Sequence, residues 1–418
     1  PRASASGTAA SGSAPTTPSA GATAAPRRTI SDAHSTTTLP GTQVRAEGAP
    51  ATGDAATDEA YDGLGATWKL YEEVYGRDSL DGKGLPLDAS VHYGDRYDNA
   101  FWDGHRMVFG DGDGTTFQRF TIAVDVIGHE LTHGVTQLTA NLTYQGQSGA
   151  LNESVSDVFG SLVKQYALGQ DAASADWLIG AGLFTAQVKG VALRSMKAPG
   201  TAYDDPTLGK DPQPATMAGY VQTTADNGGV HLNSGIPNHA FYLAATAIGG
   251  TAWEGAGRLW YDVLTGGTLA PNVDFAGFAA ATVAAAAARF GAGSSQERAV
   301  TAAWTQVGVT PNAGSTGSGA AGGTTSAGSG TVTVRRSGGF SGRSVEQTVD
   351  VRDLPDQDRV AWQALLVSPT LTELAPEPPQ PDRYVYQVSC APDLDVTAAE
   401  QQLPADVREL LERTLRQE

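Results

Sequence analysis

VDVIGHELTHGVTQLT, residues Val124–Thr139, is the stretch from which the rest of this chain is read. It carries His-Glu-x-x-His as His129, Glu130 and His133, and its apolar residues Val126, Ile127, Leu131, Val135 and Leu138 fit a helix buried on most sides. Four residues is about one helical turn, so the two histidines project from one face. Two neutral imidazoles so placed can hold Zn²⁺, and Glu130, on the adjoining edge, can reach a water on that metal. Alone, the spacing also suits an amphipathic helix with two histidines near its surface.

The following helix favours the metal. After a loop at Tyr144–Leu151 it is expected over Asn152–Leu168, NESVSDVFGSLVKQYAL, with Glu153 in its first turn. Two imidazoles and one carboxylate, with the fourth position left to water, is the usual form of a hydrolytic zinc site. Asp157 lies one turn further on the same face, beside Asn152, and can accept the outer ring N–H of a ligating histidine.

GHELTH (128–133), GALNESVSDVFG (149–160) and DNGGVHLNSGIPNHAFYL (226–243) together resemble the thermolysin family of gluzincin metalloproteases, over about Arg28–Asn312. The head of that stretch, TISDAHSTTTLPGTQVR and AYDGLGATWKLYEEVYGRDSLDGKGLPL, is most similar to the protealysin-type subgroup. The resemblance implies an α+β, two-lobed catalytic domain: a β-rich lobe over 28–139 that ends in the zinc helix, and an α-helical lobe over 140–312. It implies one Zn²⁺ on His129, His133 and Glu153, acidifying a water and polarising the scissile carbonyl. Glu130 would take the proton of that water and deliver it to the leaving amine. Tyr144 and His231, the latter steadied by Asp226, would donate to the developing oxyanion.

The same resemblance assigns the substrate contacts. The Asn99 side chain and the Ala100 backbone would bind an extended peptide at an edge strand, and Arg194 would clamp a peptide carbonyl. Phe117, Phe120, Val126, Ile179, Leu183 and Leu193 would line an apolar pocket, which implies cleavage on the amino side of Leu, Phe, Ile or Val. On pattern alone Tyr97–Gly104 is equally a turn followed by core aromatics, and Arg194 a surface charge. The family's double calcium site needs clustered acids. Here Asp125 and Asp176 remain, but Lys164, Leu178 and Ala181 stand at the other positions, and Val191 replaces the acid of a second site. Calcium is therefore not expected, and Lys164 can supply the missing charge by ion pairing.

The remainder of the chain narrows the reading. A net charge of −18 argues against nucleic acid or an anionic membrane as partner. A single cysteine, Cys390, excludes an intrachain disulfide, and no apolar run approaches the ~18 residues of a membrane span. The chain begins without Met or an apolar leader, so any signal or pro-segment is expected upstream or removed. Secretion is the expectation, with a cytoplasmic or non-classically exported enzyme as the alternative. Residues 1–27 are almost devoid of large apolar side chains and read as a disordered tail, a propeptide remnant or a linker. An amphipathic helix is expected around Asp58–Tyr75, with Tyr61, Leu64, Trp68, Leu70 and Val74 apolar. GDGDG, Gly110–Gly114, suits a tight turn better than a calcium loop, because Thr116 and Ile122 stand where that loop needs a glycine and an acid. Alanine-rich helices after Val273 close the α-helical lobe.

Residues 313–330 are Gly, Ser, Ala and Thr only, a flexible linker by composition. Beyond them a small α+β module spans 331–418, with strands expected in TVTVRR, SVEQTVDV and RYVYQVS and helices over Asp356–Val367 and Pro404–Arg416. It shows neither a metal cluster nor a nucleophile pattern. A domain behind a linker is commonly an appendage for substrate or cell wall. VRRSGGFSGRS (334–344), however, resembles emfourin, a small proteinaceous inhibitor associated with protealysin-type enzymes. That likeness implies an inhibitory loop over Ser337–Ser344, with Ser337, Gly338, Gly339, Phe340 and Ser341 as its contacts. A short tether gives millimolar effective concentration, so a protease restrained by its own module, within or between chains, is expected. The non-enzyme alternative is a zinc-stabilised peptide-binding scaffold, against which the complete set Glu130, Tyr144, Asp226 and His231 stands.

Overall fold

The computed structural model describes residues 24–311, 331–375, 377–390 and 394–417; the expected tail before residue 24 and the linker lie outside them. In the first lobe, β1 (Arg28–Asp32), β2 (Thr42–Ala46), β3 (Leu87–Val91), β4 (Ala100–Trp102) and β5 (Met107–Phe109) form a sheet in the order β2-β1-β3-β5-β4. β4 is thus an edge strand, with Asn99 immediately before it. Helix α1 (Ala55–Tyr75) starts three residues before the expected Asp58, because Asp54 accepts the Thr57 N–H at 2.8 Å and caps it. Asp113 answers for GDGDG: its Oδ1 accepts the N–H groups of Thr115, Thr116 and Phe117, which makes a side-chain-held turn.

Helix α2 (Val124–Gln137) is buried at every residue from Asp125 to Thr136. It lies directly on α3 (Gly146–Leu168), an approach that needs Gly160, where a Cβ would stand 2.3 Å from the Asp125 carbonyl oxygen. Two expectations are corrected. Leu138 is half exposed, because it is the residue that ends α2 and no longer faces the core. Helix α3 begins six residues before Asn152, so Glu153 lies two turns inside it. The glycines of GQSGAL suggest a loop, but Ala150 and Leu151 are buried, and the Ser148 hydroxyl donates to the carbonyls of Thr143 and Gln145 at the start of the helix.

Two short ribbons follow, β6 (Leu178–Ile179) with β7 (Arg194–Ser195) and β8 (Asp204–Asp205) with β9 (Gly209–Lys210), and then helices α4 (Asp226–Asn233), α5 (Gly235–Ile248), α6 (Ala256–Thr265), α7 (Phe275–Phe290) and α8 (Ser295–Gln306). Trp260 of α6 stacks on Trp304 of α8 with ring centroids 6.1 Å apart, joining the alanine-rich helices to the main core.

The last module has its own sheet, β10 (Thr331–Gly338), β11 (Val345–Asp350), β12 (Tyr384–Cys390) and β13 (Leu394–Ala399), in the antiparallel order β11-β10-β12-β13. The strand over LDVTAA carries only a weak apolar alternation and was not expected from pattern. Helices α9 (Asp356–Val367) and α10 (Ala405–Leu415) cover the sheet, and Val332, Val334, Trp362, Tyr386, Leu410 and Leu411 form a core separate from that of the catalytic lobes. Gly338 pairs with Tyr384. This register puts the β10–β11 turn and the segment leading into β12 side by side at one end of the module.

Candidate metal and peptide-binding site

The Nε2 atoms of His129 and His133 face each other at 2.9 Å on α2. Their outer nitrogens are both held by acceptors. His129 Nδ1–H donates to Asp157 Oδ1 at 2.8 Å, and His133 Nδ1–H to Asn152 Oδ1 at 2.9 Å. The Asn152 amide donates from its other end to the Leu142 carbonyl, which fixes its oxygen toward His133. With the Nδ1 atoms protonated, two Nε2 lone pairs meet with no proton between them, and a shared cation relieves that repulsion. Glu153 on α3 completes the set, its oxygens 3.5 Å from His129 Nε2 and 3.6 Å from His133 Nε2. A tetrahedron with metal–ligand bonds of about 2.0–2.1 Å has edges of about 3.4 Å; both Glu153 edges match this, and the His129–His133 edge, at 2.9 Å, needs only a small opening to hold zinc.

Glu130, fully buried, sits beside them. Neither of its carboxyl oxygens has a hydrogen-bond partner of ordinary geometry among the described residues. Burial, and then the charge of Asp382, push this carboxyl well above the usual carboxylate range. Across the cleft the Tyr144 hydroxyl donates to Glu153 and lies 3.3 Å from His231 Nε2. Asp226 accepts from His231 Nδ1 at 2.6 Å and from its backbone N–H at 3.0 Å, which sets the ring's tautomer and direction. Asp226, Asn227, Gly228 and Gly229 all have positive φ, and this run of left-handed residues turns the chain so that Asp226 meets His231.

Arg194 lies on β7, buried, with Nε and Nη2 on the two oxygens of Asp157 at 2.8 and 2.7 Å. The Asp157 carboxyl is held well below its ordinary range: burial opposes this, and Arg194 and His129 overcome it. One carboxylate therefore orients both a metal ligand and the arginine. Phe117, Phe120, Val126, Ile179, Leu183 and Leu193 are all buried in one apolar cluster next to that arginine.

The C-terminal module lies across this cleft. Ser337 and Gly338 are the last residues of β10, which packs near α4, and Gly339, Phe340 and Ser341 make the turn that follows. Phe340 is fully buried, and it packs in the catalytic core cluster, not in that of its own module. Its N–H donates to Asn99 Oδ1 at 2.8 Å, its carbonyl accepts from Arg194 Nη1 at 2.7 Å, and its ring meets Phe120 and His129 edge-on, with the Arg194 guanidinium 4.4 Å from its centroid.

The module's sequence shows no metal cluster of its own, but one of its carboxylates, Asp382, reaches into the ligand cluster. Its Oδ2 is 2.8 Å from His133 Nε2 and 3.4 Å from His129 Nε2, and its Oδ1 is 2.8 Å from His231 Nε2. Its carbonyl accepts from Asn99 Nδ2 at 2.7 Å, and its N–H donates to the Tyr144 hydroxyl at 3.3 Å. His129, His133, Glu153 and Asp382 bring candidate ligand atoms within 4.8 Å of one another. In the sequence Asp382 directly follows Pro378-Pro379-Gln380-Pro381, a stiff segment ending in an acid that carries no sign of the histidines it meets. Around these two tips the module is anchored to the first lobe. Asp98 meets Arg336 at 3.1 Å and the Tyr384 hydroxyl at 3.0 Å, and Tyr97 donates to Glu400.

At the positions where calcium was not expected, Lys164 Nζ lies 3.0 Å from both Asp125 and Asp176, and Val191 is exposed.

Residues 21–137 match the thermolysin metallopeptidase catalytic domain, residues 140–309 the thermolysin metallopeptidase alpha-helical domain, and residues 334–415 Emfourin. The chain is 61% identical over 263 residues to an extracellular metalloprotease of Pectobacterium carotovorum subsp. carotovorum, covering 63% of this chain and 76% of that protein. It is 53% identical over 284 residues to protease PrtS of a Photorhabdus species, covering 68% and 76%. Among solved structures, the precursor of protealysin, a metalloproteinase from Serratia proteamaculans, superposes with a TM-score of 0.67 at 61% identity, over 68% of this chain and 88% of that one.

Proposed function

This chain belongs to the thermolysin family of metallopeptidases and is a zinc metalloendopeptidase, and we propose that it carries its own inhibitor, which holds the cleft closed through Asp382 and Phe340. The observation that carries this reading is Asp382, whose carboxylate takes the space among His129, His133 and His231 that a water and a scissile carbonyl need.

In the unrestrained enzyme His129, His133 and Glu153 would hold one Zn²⁺, which would supply Lewis acidity and acidify a water. Glu130 accepts the proton of that water and hands it to the leaving amine. Tyr144 and His231, the latter aligned by Asp226, donate to the oxyanion from fixed positions in a cleft that excludes bulk water. Asn99 and the Ala100 backbone hold the extended substrate at the edge strand, and Arg194 holds the carbonyl of the residue in the apolar pocket. The way Phe340 lies in that pocket supports a preference for cleavage on the amino side of Phe, Leu, Ile or Val. Peptide libraries should show that preference, and a charged residue favoured there would remove it. The relatives named extracellular support secretion, and no helix among the described residues is long and apolar enough to cross a membrane.

The test compares hydrolysis of a Phe/Leu-containing peptide by the full chain and by a chain ending at Asn312. Effective concentrations near millimolar against a micromolar inhibitor imply a rise of about 1000-fold on truncation, reversed by adding 331–418 as a separate protein. Equal rates would leave the module as an appendage for substrate or surface.

A further inference from the structure

Phe340 occupies the apolar pocket as a substrate residue would, with its N–H on Asn99 and its carbonyl on Arg194. If the enzyme cuts on the amino side of the pocket residue, the bond presented for hydrolysis is Gly339–Phe340. Its carbonyl, however, is turned away from reaction. The Gly339 oxygen accepts the Gly342 N–H at 2.8 Å, closing a tight turn inside the loop. Left-handed glycines flank that turn, with φ of 68° at Gly339 and 62° at Gly342, where an extended substrate has negative φ. Both glycines are also pressed against neighbours. A Cβ at Gly339 would stand 2.4 Å from the Tyr384 ring, and one at Gly342 2.4 Å from His231 Cβ. The place by Tyr144 and His231 that the Gly339 oxygen would need is taken by Asp382, which touches both.

We propose that Gly339–Phe340 is a masked cleavage site: the loop is bound as substrate, and the bond survives because Asp382 and the Gly339–Gly342 turn keep its carbonyl out of the reacting position. This rests on the reading of the module as a restraint. Withdrawal of Asp382 leaves room for the carbonyl to swing in. One water then adds across the Gly339 C–Phe340 N bond, leaving Gly339 as a carboxylate and Phe340 as a free amine that receives a proton, and no other reagent is required. The cut falls between β10 and β11, so it severs the tip that fills the pocket and makes relief of the restraint one-way.

The experiment uses the full, zinc-loaded chain with Asp382→Gly, a substitution that removes the carboxylate while accepting the φ of 53° at this position. Asp382→Asn serves as a second variant of the same size, since Asn also tolerates that conformation. Intact-mass analysis and N-terminal sequencing follow the bond, and an added fluorogenic peptide follows the open cleft. The expected result is a fragment beginning Phe340-Ser341-Gly342 that accumulates at least tenfold faster than in the unaltered chain, and none when Glu130→Gln is combined with Asp382→Gly. Peptide hydrolysis that rises in either variant while Gly339–Phe340 stays intact overturns the masked site and leaves the restraint standing. The same cut at the same rate in the unaltered chain also overturns the masking. If neither variant hydrolyses peptide faster and neither is cut, the restraint through Asp382 falls, and the masked site with it.

Discussion

In the proposed restraint Phe340 and Asp382 divide the work of closing the cleft between an apolar anchor and a polar plug. Truncating a fully buried phenylalanine costs about 3–5 kcal/mol, and Phe340 has lost its water as completely as any core residue. We therefore expect Phe340→Ala in the full chain to raise peptide hydrolysis by about 100-fold, since about 3 kcal/mol corresponds to two decades of affinity; a change under threefold would show that the pocket contact contributes little. Glu130 is the complementary case. It touches neither imidazole's outer nitrogen, so Glu130→Gln should keep one zinc per chain by elemental analysis while hydrolysis by the truncated enzyme disappears. Retained hydrolysis would favour a scaffold in which this residue has no chemical part.

At the scale of elements, the zinc helices are a close-packed pair held at one end by a lysine. Lys164 of α3 lies between Asp125 of α2 and Asp176, and its ammonium is held above its ordinary range because the two carboxylates outweigh burial. Burial pushes the Asp125 carboxyl up, with Lys164 pulling the other way. In Lys164→Met the burial would be opposed mainly by the Gly180 N–H, which donates to Asp125 at 3.3 Å. An acid whose folded pKa exceeds its unfolded value of about 3.9 costs stability as pH rises above that value. Lys164→Met should therefore lower Tm far more at pH 8 than at pH 5, with a loss of about 3–5 kcal/mol at the higher pH, as for a buried charge left without its partner. Thermal melts at the two pH values check this. The same lysine leads us to expect no shift of Tm on calcium addition or calcium-selective chelation, and a fall of several degrees on chelation would contradict it.

At the scale of the whole molecule, the proposed restraint depends on two tips separated by 42 positions in the chain, Phe340 and Asp382, arriving together. The pairing of β10 with β12 makes them neighbours, and Arg336, Tyr384 and Glu400 dock the sheet on Tyr97 and Asp98 so that both reach the cleft. Because tethering sets the local concentration, a specific protease site placed within 313–330 should change the behaviour in a defined way. Cutting there should leave the enzyme restrained at high concentration and release it on dilution, with activity per molecule rising as the sample is diluted through the inhibitor's Kd. Activity per molecule that stays constant on dilution would mean that the module acts without leaving, or not at all.

His129, Glu130 and His133 were legible because their relation is local: one helical turn sets it, and any helix formed by these residues reproduces it. The motifs around Glu153, Tyr144, Asp226 and His231 were legible as a family pattern, although the helix around Glu153 begins earlier than its glycines suggest, because burial of Ala150 and Leu151 outweighs their loop preference. The last module's strands followed from apolar alternation, except for Leu394–Ala399, where that alternation is weak. Asp382 could not be found in this way. An acid after a proline-rich run looks like any solvated turn, and nothing in its neighbours along the chain points to histidines some 150 and 250 positions away. Sequence by itself determined the helical turn that sets His129 and His133 on one face and the order of the lobes, since those rest on periodicity and local motif. Only the tertiary structure decided that a carboxylate from the second module enters the site, since strand register and docking bring distant residues together.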